Sequence, residues 1–96
     1  MKTLIISPRA AADIDTIYDY TEERWGQDQA ETYTLGIRQA LQEVCRGSLA
    51  GKPIGHIRHN AISLSYRSHY IVYRQEFRSI TVIRILHRRM NIGRHL

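Results

Sequence analysis

The sequence predicts an α+β fold in which a helical hairpin packs on one face of an antiparallel sheet. Two observations carry this. Apolar residues recur every three to four positions up to about residue 46 and then alternate with polar ones from residue 62 onward, a change from helical to strand period. One short apolar run precedes the helical segments and three short-linked runs follow them, an order that places helices against one side of a sheet. The 96 residues fit one small domain, 1–96. A chain this short buries only about 60–65% of its unfolded surface, so its core is thin and a bound partner adds noticeably to stability.

Residues 2–6 read as a strand with Leu4, Ile5 and Ile6 as its apolar content. Ser7-Pro8 then starts a helix: serine caps, and proline occupies the first turn, where its missing N–H costs nothing. Asp13 and Asp15 fall early in that helix, on the side the macrodipole favours for acids. The helix runs to about Arg24, with Ala10, Ile14, Ile17, Tyr18 and Trp25 as its apolar stripe and Tyr20 on the opposite, exposed side. Gly26 ends it. Asp28 with Glu31 forms a capping-box pattern opening a second helix, whose stripe is Ala30, Tyr33, Ile37, Leu41 and Val44, and Arg46-Gly47 ends it.

Gly47, Gly51, Pro53 and Gly55 make residues 47–60 a loop. Ile62, Leu64 and Tyr66 alternate with Ser63 and Ser65 in a half-buried strand. Tyr70–Tyr73 and Ile80–Leu86 are further strands, rich in β-branched and aromatic residues. The short connections Arg67–His69 and Gln75–Ser79 make the three strands an antiparallel meander. Arg84 interrupts an otherwise apolar strand and is expected on the less covered sheet face. Residues 87–96 form a short, polar, basic tail, so the order is β-α-α-β-β-β-tail.

Charge is segregated along the chain. Residues 1–48 carry five basic and eight acidic side chains, a net −3. Residues 49–96 carry nine basic side chains against Glu76 alone, a net +8, together with all five histidines. Such asymmetry implies an acidic partner, either nucleic acid or an acidic protein segment. The excess of arginine over lysine favours bidentate pairing with carboxylate or phosphate. The lone Cys45 excludes an internal disulfide. The N-terminal apolar run is too short for a secretion signal and nothing approaches a membrane span, so a cytoplasmic location without membrane contact is expected. His56 and His59 have a spacing seen in metal sites, but no further ligand stands at a recognisable distance, so no metal or other cofactor is expected.

Several stretches together resemble one family. Ser7-Pro8-Arg9-Ala10-Ala11-Ala12-Asp13-Ile14-Asp15-Thr16-Ile17-Tyr18-Asp19-Tyr20, then Trp25-Gly26 ahead of Gln29-Ala30-Glu31-Thr32-Tyr33, His69–Arg74 and Ile83–Asn91 are similar, in order, to ParE-like toxins of the RelE/ParE toxin–antitoxin superfamily. Asn91 stands where that pattern usually has an aspartate. The resemblance implies a RelE-like α+β fold and a toxin that poisons DNA gyrase, and so replication, without being an enzyme. It also implies neutralisation by a ParD-like antitoxin in a hetero-oligomeric complex, and no small-molecule substrate.

On this reading no residue is catalytic. Arg84, His87, Arg88, Arg89 and Arg94 are the candidates for contacting the target, with His87 also read as a cap of the turn after its strand. Tyr20, Arg67 and Arg74 are the candidates for the antitoxin, which is expected to lie in a groove or add to a sheet edge. The alternative is a RelE-like, metal-independent endoribonuclease that cuts mRNA on the ribosome, using Arg67, Arg89 and His95. Against it, no tyrosine follows Tyr73 and Lys52 is the only lysine in its loop. A third class, a plain nucleic-acid-binding module, rests on charge alone.

Overall fold

A computed structural model describing residues 1–96 has the order β1 (Thr3–Ile6), α1 (Pro8–Trp25), α2 (Gln27–Arg46), β2 (Lys52–Pro53), β3 (Ala61–Tyr66), β4 (His69–Gln75), β5 (Ser79–His87) and α3 (Ile92–His95). The strands form one sheet in the order β1-β5-β4-β3-β2. The meander β3-β4-β5 is antiparallel as expected, but β1 pairs with β5 in parallel, so the sheet is mixed. Nearly the whole chain connects β1 to β5, which is ample for the crossover a parallel pair needs. Two elements were not foreseen: β2, a two-residue strand on β3 within the predicted loop, and α3, a single turn in the tail. Both are too short to carry a periodic signal.

Ser7 joins β1 to α1 and serves both. Its backbone N donates to the Val82 carbonyl at 3.1 Å. Its Oγ accepts from the Ala10 amide at 3.1 Å, capping the helix, and donates to the Ile83 carbonyl at 3.0 Å. Asp13 was expected to complement the helix dipole, but the first turn of α1 holds no acid. The Asp13 carboxylate turns instead to β5, as described below. Gly26 separates the two helices at φ 94, a backbone that glycine adopts without steric cost. It also takes the N-cap of α2, so the capping box expected from Asp28 and Glu31 does not form. The side-chain bond there runs from Gln27 Nε2 to Glu31 Oε1 at 3.1 Å. Gly47 closes α2 in the left-handed conformation, with the Ser48 amide on the Glu43 carbonyl.

The core lies between the helical hairpin and one sheet face. Ala10 and Ile17 from α1 and Ile37, Leu41, Val44 and Cys45 from α2 meet Leu64, Ile71, Tyr73, Ile80, Val82 and Ile85. Trp25, assigned to the stripe of α1, is the last residue of that helix and is 64% exposed. Strand β5 carries an irregularity that the alternation could not reveal. Tyr73 pairs with Val82 and Val72 with Arg84, leaving Ile83 as a bulged residue. The extra residue reverses the parity of the strand. Ile80 and Val82 face the helices before it, Ile85 and His87 after it, and Arg84 falls with Val72 and Leu86 on the other face.

β1 covers only Ser79–Val82 of β5, so the rest of that strand edge would be open. Asp13 closes it. Its carboxylate accepts Arg84 Nε at 2.8 Å, Arg84 Nη2 at 3.0 Å and the Ile85 amide at 2.9 Å. Arg84 Nη1 donates to the His95 carbonyl at 3.3 Å, tying α3 to the same point. Replacing Asp13 with Ala strands a nearly buried guanidinium and a strand amide, and is expected to cost about 2–4 kcal/mol in urea unfolding. Ser7→Ala loses both Oγ bonds and is expected to cost about 1–2 kcal/mol, whereas Ser7→Thr keeps them and stays near wild type. A Asp13→Ala loss below about 0.5 kcal/mol, the level of an ordinary surface change, would remove the structural role argued for that carboxylate.

Candidate functional site

The β3–β4 turn, the end of β5 and the helical hairpin enclose a cleft of about 1010 Å³. Its wall from the helices is Thr16, Tyr20, Trp25, Gln29 and Tyr33; its other wall is Arg67, Ser68, His69, His87, Arg89 and Met90. The approach of sheet to helix depends on Gly36. A Cβ there would lie 1.8 Å from the Tyr66 hydroxyl, so glycine lets the Tyr66 ring lie against α2. Tyr66 in turn meets Tyr33 edge-on, with centroids 5.3 Å apart.

Two histidines form the centre of the sheet wall. His69 and His87 are direct partners across β4 and β5, their rings edge-on at 5.3 Å. The bulge at Ile83 is what puts His87 on this face. The Ser68 amide donates to the Tyr33 hydroxyl at 3.2 Å, and that hydroxyl lies 2.7 Å from His69 Nδ1. The direction of the Tyr33–His69 bond follows the His69 tautomer. His87 Nδ1 accepts the Arg89 amide at 3.1 Å, the turn cap expected of this residue. A neutral His87 ring therefore carries its proton on Nε2. Neither Nε2 has a protein partner, and both rings line the cleft. Burial, followed by the neighbouring His87, lowers the His69 pKa to about 4. Burial also raises the Tyr33 pKa.

Arginines flank these histidines. Arg67 sits in the two-residue β3–β4 turn at φ 48, a left-handed conformation that non-glycine residues seldom adopt. Its guanidinium lies 5.8 Å from the Tyr66 ring centre. Arg88 donates to the Arg67 carbonyl at 3.2 Å and lies 5.7 Å from the Tyr70 ring centre. The only ion pairs in the molecule are Arg46–Glu43, Arg74–Glu76 and Arg84–Asp13, so Arg67, Arg88 and Arg89 have no carboxylate partner.

The structure brings together Tyr20, Arg67, Arg84, His87 and Arg89 of the residues singled out from sequence. Arg84 is occupied by Asp13, with 12% of its side chain exposed, and that carboxylate raises its pKa. It is a tie within the fold rather than a free contact residue. Arg74 lies five residues along β4 from His69, about 16 Å away, and pairs with Glu76. It does not join Tyr20 and Arg67. Arg88 does not line the cleft: it stands by Tyr70 on the sheet face away from the helices, and Arg94 is exposed on α3. Of the alternative catalytic set, Arg67 and Arg89 share the cleft but His95 does not line it; its carbonyl receives Arg84. His56 and His59 are exposed in the 54–60 loop, and no group of three or more His, Cys, Asp or Glu is placed to hold a metal. Trp25 and Tyr33, which the periodic pattern reads as core, and His69, which it does not single out, are cleft residues. The 36-residue separation of the Tyr33–His69 bond leaves no local signal.

Residues 4–92 match a family model described as the ParE toxin of type II toxin–antitoxin system, parDE. A Toxin ParE1 of Mycobacterium tuberculosis (strain H37Rv) is 37% identical over 93 residues, covering 96% of this chain and 95% of that protein. A Toxin ParE1 of Caulobacter vibrioides is 34% identical over 96 residues, covering 100% of this chain and 99% of that protein. Among solved structures, a chain from the chromosomal ParDE TA system of P. aeruginosa superposes with TM-score 0.77 at 23% identity, over 91% of this chain and 96% of that one. A chain of the YoeB-YefM complex from Staphylococcus aureus gives TM-score 0.59 at 17% identity, over 91% and 97%. At these identities the two structures establish the shared fold.

Because the folded state holds His69 neutral down to about pH 4, the unfolded chain binds a proton there that the native one does not. Stability is therefore full above about pH 6.5 and falls as pH drops from about 6.5 to 4. The loss is expected to reach about 1–2 kcal/mol after allowance for solvent screening of the half-buried ring. Urea midpoints at pH 7 and pH 4.5 measure it, and His69→Gln should flatten this part of the profile.

Proposed function

This chain belongs to the family of ParE toxins of type II toxin–antitoxin systems, and from that premise we propose that it arrests growth by binding DNA gyrase and stalling it on DNA. A ParD-like antitoxin neutralises it. The observation that carries the binding reading is the chemistry of the cleft. Both imidazoles have Nδ1 occupied, and the flanking Arg67 and Arg89 are cations without carboxylate partners. Such a surface holds anionic or polar groups. Met90, Tyr20 and Trp25 add exposed apolar area beside it, the combination found at protein-binding hot spots. Antitoxin binding through acidic and apolar residues fits the same features.

The alternative, mRNA cleavage on the ribosome, draws on Arg67 and Arg89 sharing one cleft. A supercoiling and cleavage-complex assay with purified gyrase, with and without ATP, separates the two. Inhibition or trapped cleaved DNA is expected. No effect at concentrations of chain that arrest growth when expressed overturns the gyrase reading and moves the weight to the ribosome.

A further inference from the structure

We propose that the β4–β5 turn is a second protein-docking surface, which seats Phe77 in an apolar pocket rimmed by carboxylates on the protein that the toxin arrests. The assignment rests on the reading of this chain as a toxin that binds a protein target. Strands β4 and β5 run from His69 and His87 at the cleft to Gln75 and Ser79 at the other end of the sheet, about 20 Å away. The topology brings the start of β1, the β2–β3 loop and the β4–β5 turn to that end. Lys2 Nζ donates to the Glu76 carbonyl and the Thr3 amide to the Arg78 carbonyl at 2.9 Å, which fastens the N-terminus to the turn. Each of the three segments carries an exposed apolar side chain: Met1, Ile57 and Phe77. Phe77 is 87% exposed, in a connection that the Glu76 amide closes onto the Ser79 carbonyl at 2.8 Å. Glycine, asparagine, aspartate or proline suits such a turn, and a phenyl ring projecting into water does nothing for it.

Charge narrows the partner. Lys2, Arg58 and Arg78 lie on the same three segments, and none has a carboxylate partner. The one acid among those segments, Glu76, is paired with Arg74. The Arg78 guanidinium lies 6.0 Å from the Phe77 ring centre, so ring and cation meet a partner together. An apolar ring among free cations complements an apolar pocket with an acidic rim: the ring supplies buried area at the centre, and the cations pair at the edge. A nucleic-acid backbone would use the cations. It would leave Met1 and Ile57 in water, because neither is a flat ring that stacks on a base. Occupation of the cleft leaves this surface open, since the length of the strands separates the two.

The test expresses the full chain in a bacterial host without its antitoxin, at matched chain levels, and measures supercoiling inhibition of purified gyrase in parallel. Phe77→Ser and Arg78→Glu change exposed side chains, so their urea midpoints are expected to match wild type. Phe77→Ser should raise the amount of chain needed for growth arrest by about thirtyfold, the scale of a hot-spot residue. Arg78→Glu should weaken arrest more than Arg78→Ala, because it sets like charges against the partner's rim. Leu35→Ser, which alters an exposed apolar residue midway along α2, should change nothing. Growth arrest by Phe77→Ser at the wild-type amount overturns the proposal, whatever the target. Arrest that depends on Phe77, with gyrase left active by the wild-type chain, upholds this surface and removes gyrase as its partner. Binding of a labelled oligonucleotide that depends on Phe77 overturns the protein pocket in favour of nucleic acid. A wild-type chain that neither arrests growth nor inhibits gyrase overturns both readings.

Discussion

The Asp13 carboxylate, shared between the Arg84 guanidinium and the Ile85 amide, is the contact on which the arrangement of this molecule depends. It solves a problem of unequal lengths. β1 has four residues and β5 nine, so more than half of β5 would present an unpaired edge. An open edge exposes backbone donors and acceptors to other chains. Here the helix that follows β1 runs along the uncovered stretch and supplies the missing partners, first from Ser7 and then from Asp13. One carboxylate on α1 thereby holds the helix, the strand and, through Arg84, the C-terminal turn in a single relation.

The bulge at Ile83 belongs to the same device. Its carbonyl would lack a strand partner, and Ser7 Oγ satisfies it. The parity change that follows sends Arg84 around the edge to Asp13 and turns His87 toward His69. The interaction that seals the sheet therefore also builds the wall of the cleft. Within that wall, Nδ1 of His87 accepts the Arg89 amide and Nδ1 of His69 is bonded to the Tyr33 hydroxyl, which orients both rings. A site made this way is suited to recognising a partner, and the unpaired Arg67 and Arg89 line it.

Membership of a toxin family and this geometry support one another. Chains of the ParDE and YoeB-YefM systems share the architecture at low identity, so the fold is common ground and differences in action must lie in side chains. At this end of the sheet the chain carries the two imidazoles, the left-handed Arg67 and the exposed Trp25. Of the helical acids near this end, Asp13 is committed to Arg84 and Asp28 stands beside Trp25 and Arg67.

What the sequence determined by itself was the succession of elements. Local steric and hydrogen-bonding preferences, such as Ser7-Pro8 at a helix start and Gly47 at a helix end, act over a few residues and are written in the chain, as is the switch from helical to alternating period. The segregation of charge and the ParE-like stretches were legible for the same reason. Tertiary structure alone decided the parallel pairing of β1, the Gly26 cap in place of Asp28, the exposure of Trp25 and the assignment of Arg84 to the fold. It also decided that Arg74 and His95 stand outside the cleft while Tyr33 and His69 help to form it. These outcomes turn on one bulged residue and on contacts such as Asp13–Arg84, 71 positions apart. No local preference encodes a contact at that distance, because its energy exists only once the sheet and the helices have met.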